Sequence, residues 1–477
     1  MKNKYIIGVD NGSTSSKIVI FDLEGNVICE AKEDLRPMHL ETLGVVEHPD
    51  DDLWDSIKAA SHKAMSKFSG NKEDIIGLGL CTIRCCRVLL KGDGSLASPV
   101  MSWMDARLAR PYEHKDSSVK YVTTTSGYIT FRLTGEYRDT AANYEGEWPI
   151  DKDRWQWSED QEVLKKYNIP REMLFDLQMP GEISGYVTKE AAEALGIPAG
   201  IPVVATANDK AVEALGAGLA RDHSALISLG TYIGGMVNGY ANVKDTVSSF
   251  SNMASIPHRY LFESYGIRRG MWTVNWIKEL FGDEILLKAN AVGMTPEEYL
   301  SEKAEKVPAG SEGLITILDW LAPTDKPYRK GVMLGFDGRH SREHMFRSIL
   351  EAIALTMKNH IDQMCQELNI ELENIIVSGG GSNSRLMMQI VADVFELPTY
   401  RNLVNGSASL GAAICVAVAL GFYEDFETAI SKMVKVRDYF MPIPSNVALY
   451  KRMNQELYQN ITSYTDEVLK LSYPIFG

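Results

Sequence analysis

The sequence has no excess of basic residues, and this shortage argues against one class of partner. It contains 49 Lys and Arg residues against 63 Asp and Glu residues, which gives a formal net charge of −14 at pH 7. Proteins that bind nucleic acids neutralise the phosphate backbone with clustered cations, and such clusters are missing here. We therefore expect no nucleic-acid partner, and an acidic surface that serves mainly solubility.

Cysteines and long apolar runs are also scarce. Six cysteines occur in 477 residues, and Cys81, Cys85 and Cys86 have no second cluster at the spacing of a zinc site or a disulfide framework. The longest apolar stretch, Ser409 to Phe422, is shorter than the roughly 20 residues that cross a bilayer. The opening MKNKYIIGVD lacks a signal-peptide pattern. We expect reduced thiols, a cytoplasmic location, no membrane partner and a core helix at Ser409 to Phe422.

The length of the chain predicts two domains, since 477 residues exceed one ordinary domain. Tyr5 to Val9 and Lys17 to Asp22 form strand patterns around a small polar turn, and HPDDDLW indicates the start of a helix. Strand patterns return at Ala225 to Leu229 and Met236 to Asn238, around the glycine-rich GTYIGG. The recurrence favours two α/β lobes of similar design that face one cleft, although two short hairpins also resemble each other by chance.

The turn after the first strand has the composition of a phosphate-binding loop. In DNGSTSSK, Gly12 lets the backbone approach a ligand, while Ser13, Thr14 and Ser15 supply amide and hydroxyl donors. A carboxylate beside phosphate repels it unless a cation lies between them, so Asp10 predicts bound Mg²⁺. The alternative is an Asx-turn in a surface hairpin.

Two later segments also follow apolar strands. The run GGGSNS lies between a strand at Asn374 to Ser378 and a helix at Arg385 to Phe395, a layout typical of phosphate or nucleotide binding. In TANDKAVEALGAG, Asn208 and Asp209 follow the strand at Pro202 to Ala205 and precede a helix. Asp209 is a candidate helix N-cap. Its position near the boundary of the lobes favours a reacting group instead.

Five motifs occur in the order found in FGGY carbohydrate kinases, and the chain resembles that family over nearly its whole length. They are GVDNGSTSSK, TANDKAVEALGAG, ISLGTYIGG, GVMLGFDGRHSREHMFRSILEAIA and SGGGSNSRLMMQIVADVFELP. The resemblance implies an α/β fold with two ribonuclease H-like lobes of the actin, hexokinase and Hsp70 type. It places ATP, Mg²⁺ and a small sugar or polyol in the cleft between an N-terminal lobe at residues 1–218 and a C-terminal lobe at residues 219–477. A homodimer is a further expectation by analogy with the family.

The resemblance also assigns roles to individual residues. It makes Asp209 the general base for the substrate hydroxyl, while Asp10 holds Mg²⁺ and the transferring phosphoryl group. The sugar site and a first phosphate loop belong to the N-terminal lobe; a second phosphate loop and the adenosine site belong to the C-terminal lobe. The nucleotide-binding residues are Gly12, Ser13, Thr14, Ser15 and Lys17 in the first loop, Gly230 and Thr231 in the second, and Gly379, Gly380, Gly381 and Ser384 at the adenosine.

The substrate candidates lie where the chain departs from its relatives. They are Arg84, Cys85, Trp103, Asp105 and Asn208. Glycerol kinases have Arg-Glu and xylulokinases Met-His where this chain has Arg84 and Cys85. Arg84 is expected to bind substrate hydroxyls, or a carboxylate or phosphate of an acidic substrate, or to pair with a neighbouring carboxylate. SWMDAR resembles the family's W-x-D-x-R, in which the Trp walls the sugar site and the Asp accepts hydroxyl bonds.

The segment between Arg107 and Val119 is shorter than in the family, which opens the cleft to a larger or linear substrate or leaves a gap for a partner chain. We expect a kinase for a ketopentose such as xylulose or ribulose, with glycerol, a tetritol or a sugar acid as alternative substrates. Two other classes are a regulatory protein that binds sugar or nucleotide with little catalysis, and an ATPase of the actin or Hsp70 type. Intact Asp10, Asp209 and phosphate loops favour the kinase.

Overall fold

The computed structural model describes residues 4–40, 43–146, 148–220, 223–404 and 406–476, so the first three residues of the MKNKYIIGVD segment lie outside it. In residues 4–220 the strands are β1 (Tyr5–Asn11), β2 (Ser15–Asp22), β3 (Val27–Asp34), β4 (Glu47–His48), β5 (Ile75–Thr82), β6 (Val88–Lys91), β7 (Val100–Met101), β8 (Val119–Thr123), β9 (Arg138–Thr140), β10 (Ile150–Asp151), β11 (Gln156–Trp157), β12 (Asp176–Gln178), β13 (Ile183–Tyr186) and β14 (Pro202–Val204). The helices there are α1 (Asp52–Lys67), α2 (Thr125–Thr134), α3 (Gln161–Tyr167), α4 (Lys189–Leu195) and α5 (Asp209–Gly216).

Residues 223–476 contain the second set of elements. The strands are β15 (Ser224–Leu229), β16 (Ile233–Gly239), β17 (Ser249–Met253), β18 (Tyr260–Ser264), β19 (Ile315–Ile317), β20 (Val332–Leu334), β21 (Asn374–Ser378), β22 (Thr399–Asn402) and β23 (Val436–Phe440). The helices are α6 (Gly270–Leu280), α7 (Asp283–Ala291), α8 (Pro296–Ala304), α9 (Arg342–Leu368), α10 (Arg385–Phe395), α11 (Ser407–Ala419), α12 (Phe426–Met433), α13 (Pro444–Met453) and α14 (Ile461–Phe476). None of the helices in the described ranges is long and apolar enough to span a membrane.

Two large sheets share one topology. The first has the strand order β13-β14-β5-β1-β2-β3, and the second has the order β17-β18-β16-β15-β21-β22-β23. In the first sheet β1 pairs antiparallel with β2 and parallel with β5, and in the second β15 pairs antiparallel with β16 and parallel with β21. A second parallel neighbour follows in both sheets, β14 beside β5 and β22 beside β21. The predicted recurrence of two hairpins is therefore a duplicated α/β architecture.

The strands β1 and β15 are buried along nearly their whole length, as expected where helices cover both faces of a sheet. Helix α1 packs against β2 and β3, and α11 packs against β1 and β5. The predicted core helix is confirmed, since α11 is buried from Ser407 to Ala417. Its close approach requires glycine in the sheet: a Cβ on Gly8 would lie 2.1 Å from the carbonyl oxygen of Ser409.

Helix α11 belongs to the second half of the sequence but packs on the sheet of the first half and on α5. Gly411 of α11 approaches α5 so closely that an added Cβ would lie 2.0 Å from the carbonyl oxygen of Val212. The predicted lobe boundary between Gly218 and Leu219 falls in the link from α5 to β15, and it stays a prediction.

Candidate functional site

The candidate residues follow neighbouring parallel strands, whose carboxyl ends meet at one edge of each sheet. Asp10 lies near the end of β1, Arg84 follows β5, and Asp209 follows β14. In the second sheet, Gly230 follows β15 and Gly379 follows β21. Binding sites of open α/β sheets form at this edge. The topology therefore collects motifs that are far apart in the sequence.

The predicted first phosphate loop is a tight turn between β1 and β2. The backbone amide of Gly12 donates to the carbonyl of Ser15 over 3.0 Å, which closes the turn. Thr14 is exposed at its tip, and Ser13 is partly buried. Lys17 lies further along β2 and forms a 2.7 Å ion pair with Glu30. The turn itself thus has the predicted form, whereas the ammonium of Lys17 is engaged by the neighbouring strand β3.

The predicted second phosphate loop and the predicted adenosine motif line one cavity of about 820 Å³. The predicted residues that line it are Gly230, Thr231, Gly380, Gly381 and Ser384. Its apolar walls come from α6, α9 and α10 and include Met271, Val274, Phe346, Leu350 and Met387. Glutamates of α8 and three arginines line the cavity beside these apolar side chains. An apolar wall with polar groups placed around it is typical of a nucleotide-sized ligand site.

Two residues of the predicted adenosine motif shape this cavity, Gly379 through its backbone and Ser384 through its hydroxyl. Gly379 has φ +82°, and a Cβ there would lie 2.6 Å from the carbonyl oxygen of Leu229, so only glycine fits between β21 and β15. The hydroxyl of Ser384 caps α10 by accepting from the amide of Met387 at 3.2 Å and lies 3.1 Å from the hydroxyl of Ser301. Ser384 therefore anchors the start of α10 at the cavity wall.

The N-cap of α5 is Asn208, so the capping alternative for Asp209 is wrong. The Asn208 side chain accepts from the amides of Lys210 and Ala211, each at 3.1 Å, and donates to the carbonyl of Ala142 at 3.2 Å. Asn208 is fully buried. The side-chain amide of Asn208 is therefore hydrogen-bonded within the protein. The carboxylate of Asp209 lies at the first turn of α5 and makes none of these capping bonds.

The carboxylates of Asp10 and Asp209 have perturbed acidities. Burial and, after it, the negative charges of Asp209 and Glu213 raise the pKa of Asp10 to about 6, against the lowering effect of Lys17 and Lys210. Burial also raises the pKa of Asp209, against the lowering effect of Arg84 and Lys210. Perturbed carboxylates in a cleft are typical of functional sites.

Arg84 joins the two sheets beside Asp209. Its two terminal nitrogens donate to the carboxylate of Glu263 in β18 at 2.5 and 2.9 Å. Its Nε lies 3.4 Å from Oδ1 of Asp209. Glu263 is 4% exposed and also accepts from the side-chain amide of Asn252 at 2.5 Å. Of the interpretations open for Arg84, pairing with a carboxylate is the one observed.

The remaining substrate candidates are Cys85, Trp103 and Asp105. Cys85 has φ +58°, and burial raises the pKa of its thiol to about 11, so the thiol is neutral at pH 7. Trp103 is 54% exposed. Asp105 is buried, and its carboxylate accepts 2.9 Å bonds from the backbone of Val46 and from both the backbone and Nε of Arg107. The carboxylate of Asp105 is therefore used in holding its own loop.

The sequence interpretation missed Glu263, Lys210 and Glu213. Lys210 donates to Glu213 at 2.7 Å and to the hydroxyl of Ser228 at 3.2 Å, while Glu213 accepts from Ser378 at 2.6 Å. This network ties α5 to β15 and β21, the strands that precede the second loop and the adenosine motif. A signal for Glu263 was present, since it is the one charged residue in the otherwise uncharged strand YLFES.

The donor set fits a magnesium ion held by few protein ligands. Within the described ranges, no three or more His, Cys, Asp or Glu side chains form a metal-binding group. Mg²⁺ needs no such cage, because it commonly binds through one or two carboxylates together with phosphate oxygens and water. Burial and the negative charge of Asp209 oppose the ionisation of Asp10 and raise its pKa, and a divalent cation bound to Asp10 would offset the repulsion.

Comparisons with known proteins show similarity along nearly the whole chain. The chain matches the N-terminal domain of the FGGY family of carbohydrate kinases at residues 5–117 and 108–216, and the C-terminal domain at residues 225–420. It is 54% identical to the uncharacterized sugar kinase YgcE of Escherichia coli (strain K12), over 100% of this chain and 96% of the relative. It is 24% identical to the xylulose kinase of Lactococcus lactis subsp. lactis (strain IL1403), over 98% of this chain and 99% of that protein.

Solved structures confirm the predicted two-lobe fold. The xylulose kinase of Rhodospirillum rubrum superimposes with a TM-score of 0.83 at 22% identity, over 98% of this chain and all of that one. The gluconate kinase of Lactobacillus acidophilus gives a TM-score of 0.84 at 20% identity, over 100% of both chains. At these identities the likeness concerns the fold alone.

Proposed function

The chain belongs to the FGGY family of carbohydrate kinases, and from this premise we propose that it transfers the γ-phosphoryl group of ATP to a hydroxyl of a small sugar or polyol, with Asp209 as the general base. Membership makes it an ATP-dependent carbohydrate kinase. The residue roles, the requirement for Mg²⁺ and the substrate are our proposals. A ketopentose such as xylulose or ribulose is the favoured substrate, and a cytoplasmic location and a homodimer stay predictions.

The observation that carries the proposal is the position of Asp209. It lies at the first turn of α5, outside the capping bond made by Asn208, and within 3.4 Å of Nε of Arg84. A base that accepts a hydroxyl proton works best when its pKa lies nearer to the working pH than that of a free carboxylate. Burial moves the pKa of Asp209 in that direction.

The two glycine-bearing loops support the assignment of the phosphates. Phosphoryl transfer depends chiefly on in-line placement and on neutralising the phosphate oxygens. Amides of the first loop and of the Gly230–Thr231 turn would bind those oxygens, and the apolar cavity beside Gly381 would hold the adenosine. Asp10 would hold Mg²⁺, which when bound supplies positive charge to the phosphate oxygens.

The other functions are less well supported by these residues. A regulatory protein with little catalysis has no need for a partly buried carboxylate with a raised pKa beside a phosphate loop. An ATPase of the actin or Hsp70 type has no need for Arg84 and Glu263 beside Asp209. Glycerol, a tetritol and a sugar acid remain alternative substrates.

The test is release of ADP from Mg-ATP in the presence of single compounds from a panel. The panel contains pentuloses, hexuloses, tetritols, glycerol and sugar acids, and each reaction is repeated with Asp209→Asn. The proposal predicts compound-dependent ADP release by the parent protein that drops sharply in the variant. Background hydrolysis that no compound changes would contradict it, and would favour an ATPase or a binding protein.

A further inference from the structure

We propose that Glu263 sets the substrate class of this site, because it neutralises Arg84 beside the base and so selects a neutral polyhydroxyl substrate over a sugar acid. The inference rests on the proposed function. It names a residue that the sequence interpretation missed and gives it a role in specificity.

The first step is the geometry of the guanidinium. Arginine binds carboxylates best through two parallel bonds from one edge of its planar group. In Arg84 the two terminal nitrogens, Nη1 and Nη2, are both bound to Glu263, at 2.5 and 2.9 Å. The side chain of Arg84 is only 20% exposed, and its Nε is turned to Asp209. Glu263 therefore occupies the end-on edge formed by Nη1 and Nη2, and a substrate carboxylate could approach only the Nε side, where the carboxylate of Asp209 repels it.

The second step is the charge around Asp209. Burial lowers the pKa of Lys210, but the carboxylates of Glu213, Asp209 and Glu263 outweigh it, so the net shift is upward. Lys210 forms an ion pair with Glu213 at 2.7 Å. Lys152 pairs with Glu145 at 2.6 Å. The carboxylates that influence Asp209, Arg84 or their immediate neighbours are Asp10, Asp209, Glu145, Glu213 and Glu263. With Lys17, which lowers the pKa of Asp10, four cations face these five carboxylates, and an anionic substrate would enter a site that already carries a net negative charge.

The third step concerns the hydrogen-bonding groups that the pair of Arg84 and Glu263 leaves available to a substrate. Nε–H of Arg84 is a donor, and the carboxylate of Asp209 is an acceptor 3.4 Å away. A hydroxyl group can accept from the first and donate to the second, whereas a carboxylate can only accept. The arrangement is thus complementary to the hydroxyl that loses its proton to Asp209.

The experiment compares neutral and anionic compounds of equal carbon number. Ribitol and ribonate form one pair, and sorbitol and gluconate another, with a ketopentose included as a neutral reference. The ratio of kcat/KM for the neutral compound to that for its acid is measured for the parent protein, Glu263→Gln and Glu263→Asp. Binding of the same compounds is measured by titration calorimetry. Glu351→Gln is the matched control, since Glu351 is also buried and paired with an arginine, Arg347, at 2.7 Å.

The parent protein is expected to prefer the neutral member of each pair by at least about tenfold. Glu263→Gln should reduce that preference by about tenfold or more, because a unit charge roughly 4 Å away is worth at least this factor at the effective dielectric of a protein surface. Glu263→Asp should retain most of the preference, and Glu351→Gln should leave the ratio unchanged even if the protein becomes less stable.

Two results would overturn the inference. One is a parent protein that uses an acid as well as its neutral partner; the other is a ratio that Glu263→Gln leaves unchanged. If no compound is phosphorylated, the proposed function fails, and calorimetry then decides the role of Glu263 separately. Tighter binding of the neutral compound that is lost in Glu263→Gln supports it, whereas equal binding or no binding of both compounds contradicts it.

Discussion

Replacement of Asp10 by Asn should make the ligand-free protein more stable while it abolishes phosphoryl transfer. Asp10 lies at the end of a buried strand, where burial and the charges of Asp209 and Glu213 oppose its ionisation. Asn has nearly the same shape and carries no charge. The variant therefore removes an unfavourable charge and, with it, the carboxylate that we assign to Mg²⁺.

The size of the effect follows from the acidity of this carboxyl. Its pKa rises from 3.8 to about 6 on folding, so ionisation destabilises the folded state. At roughly 1.4 kcal/mol for each pKa unit, the penalty is about 3 kcal/mol above pH 6. It shrinks as the pH falls from 6 and is absent below 3.8, where Asp10 is protonated in both states. Because Asp10 is only partly buried, we take this figure as an upper bound.

The assay is thermal unfolding in EDTA at pH 7.5 and at pH 4. We expect Asp10→Asn to unfold several degrees above the parent at pH 7.5, with a much smaller difference at pH 4. Asp176→Asn is the control, because the side chain of Asp176 is 82% exposed and should contribute little. A variant that is less stable than the parent at pH 7.5, or an equal gain at both pH values, would refute the reasoning.

Three further variants test other parts of the structure. Asp209→Asn should lower kcat by about 10²- to 10⁴-fold in a coupled ADP assay, with ATP binding nearly unchanged; turnover within a few-fold of the parent removes Asp209 from its role. Gly8→Ala should lower Tm by several degrees, since its Cβ would fall 2.1 Å from a backbone oxygen of α11. Gly338→Ala is the control, because a Cβ at Gly338 has no atom within 4 Å. Equal Tm values for the two variants would contradict this packing. Lys210→Met should lower the free energy of unfolding by up to about 3 kcal/mol in chemical denaturation, because Glu213, whose side chain is only 15% exposed, loses its ion pair; Glu213→Gln should restore most of that loss, and failure to restore it argues against the pair.

Local elements could be predicted because their causes are local. The strand Asn374 to Ser378 and the helix Arg385 to Phe395 have the bounds that the sequence indicates. Two of the three glycines between them, Gly379 and Gly381, lie where a side chain has no room. The predicted helix at Ser409 to Phe422 was also correct, although Ala419 is its last residue and its start lies earlier, at Ser407.

Contacts between distant segments could not be predicted in this way. Arg84 and Glu263 are 179 positions apart, and no periodicity connects them. The return of α11 to the first sheet depends on tertiary packing that a sequence pattern does not encode. Sequence patterns also failed to identify the N-cap of α5. Asn208 and Asp209 are both good N-cap residues, and a shift of one position exchanges their roles.

The most direct test of the central claim is identification of the product by phosphorus NMR. The parent protein is incubated with Mg-ATP and a neutral ketopentose or polyol from the panel, beside Asp209→Asn under the same conditions. We predict a new sugar phosphate ester that forms in step with ADP in the parent reaction and is nearly absent with the variant. ADP accompanied only by inorganic phosphate, or an ester that forms equally with Asp209→Asn, would contradict the account.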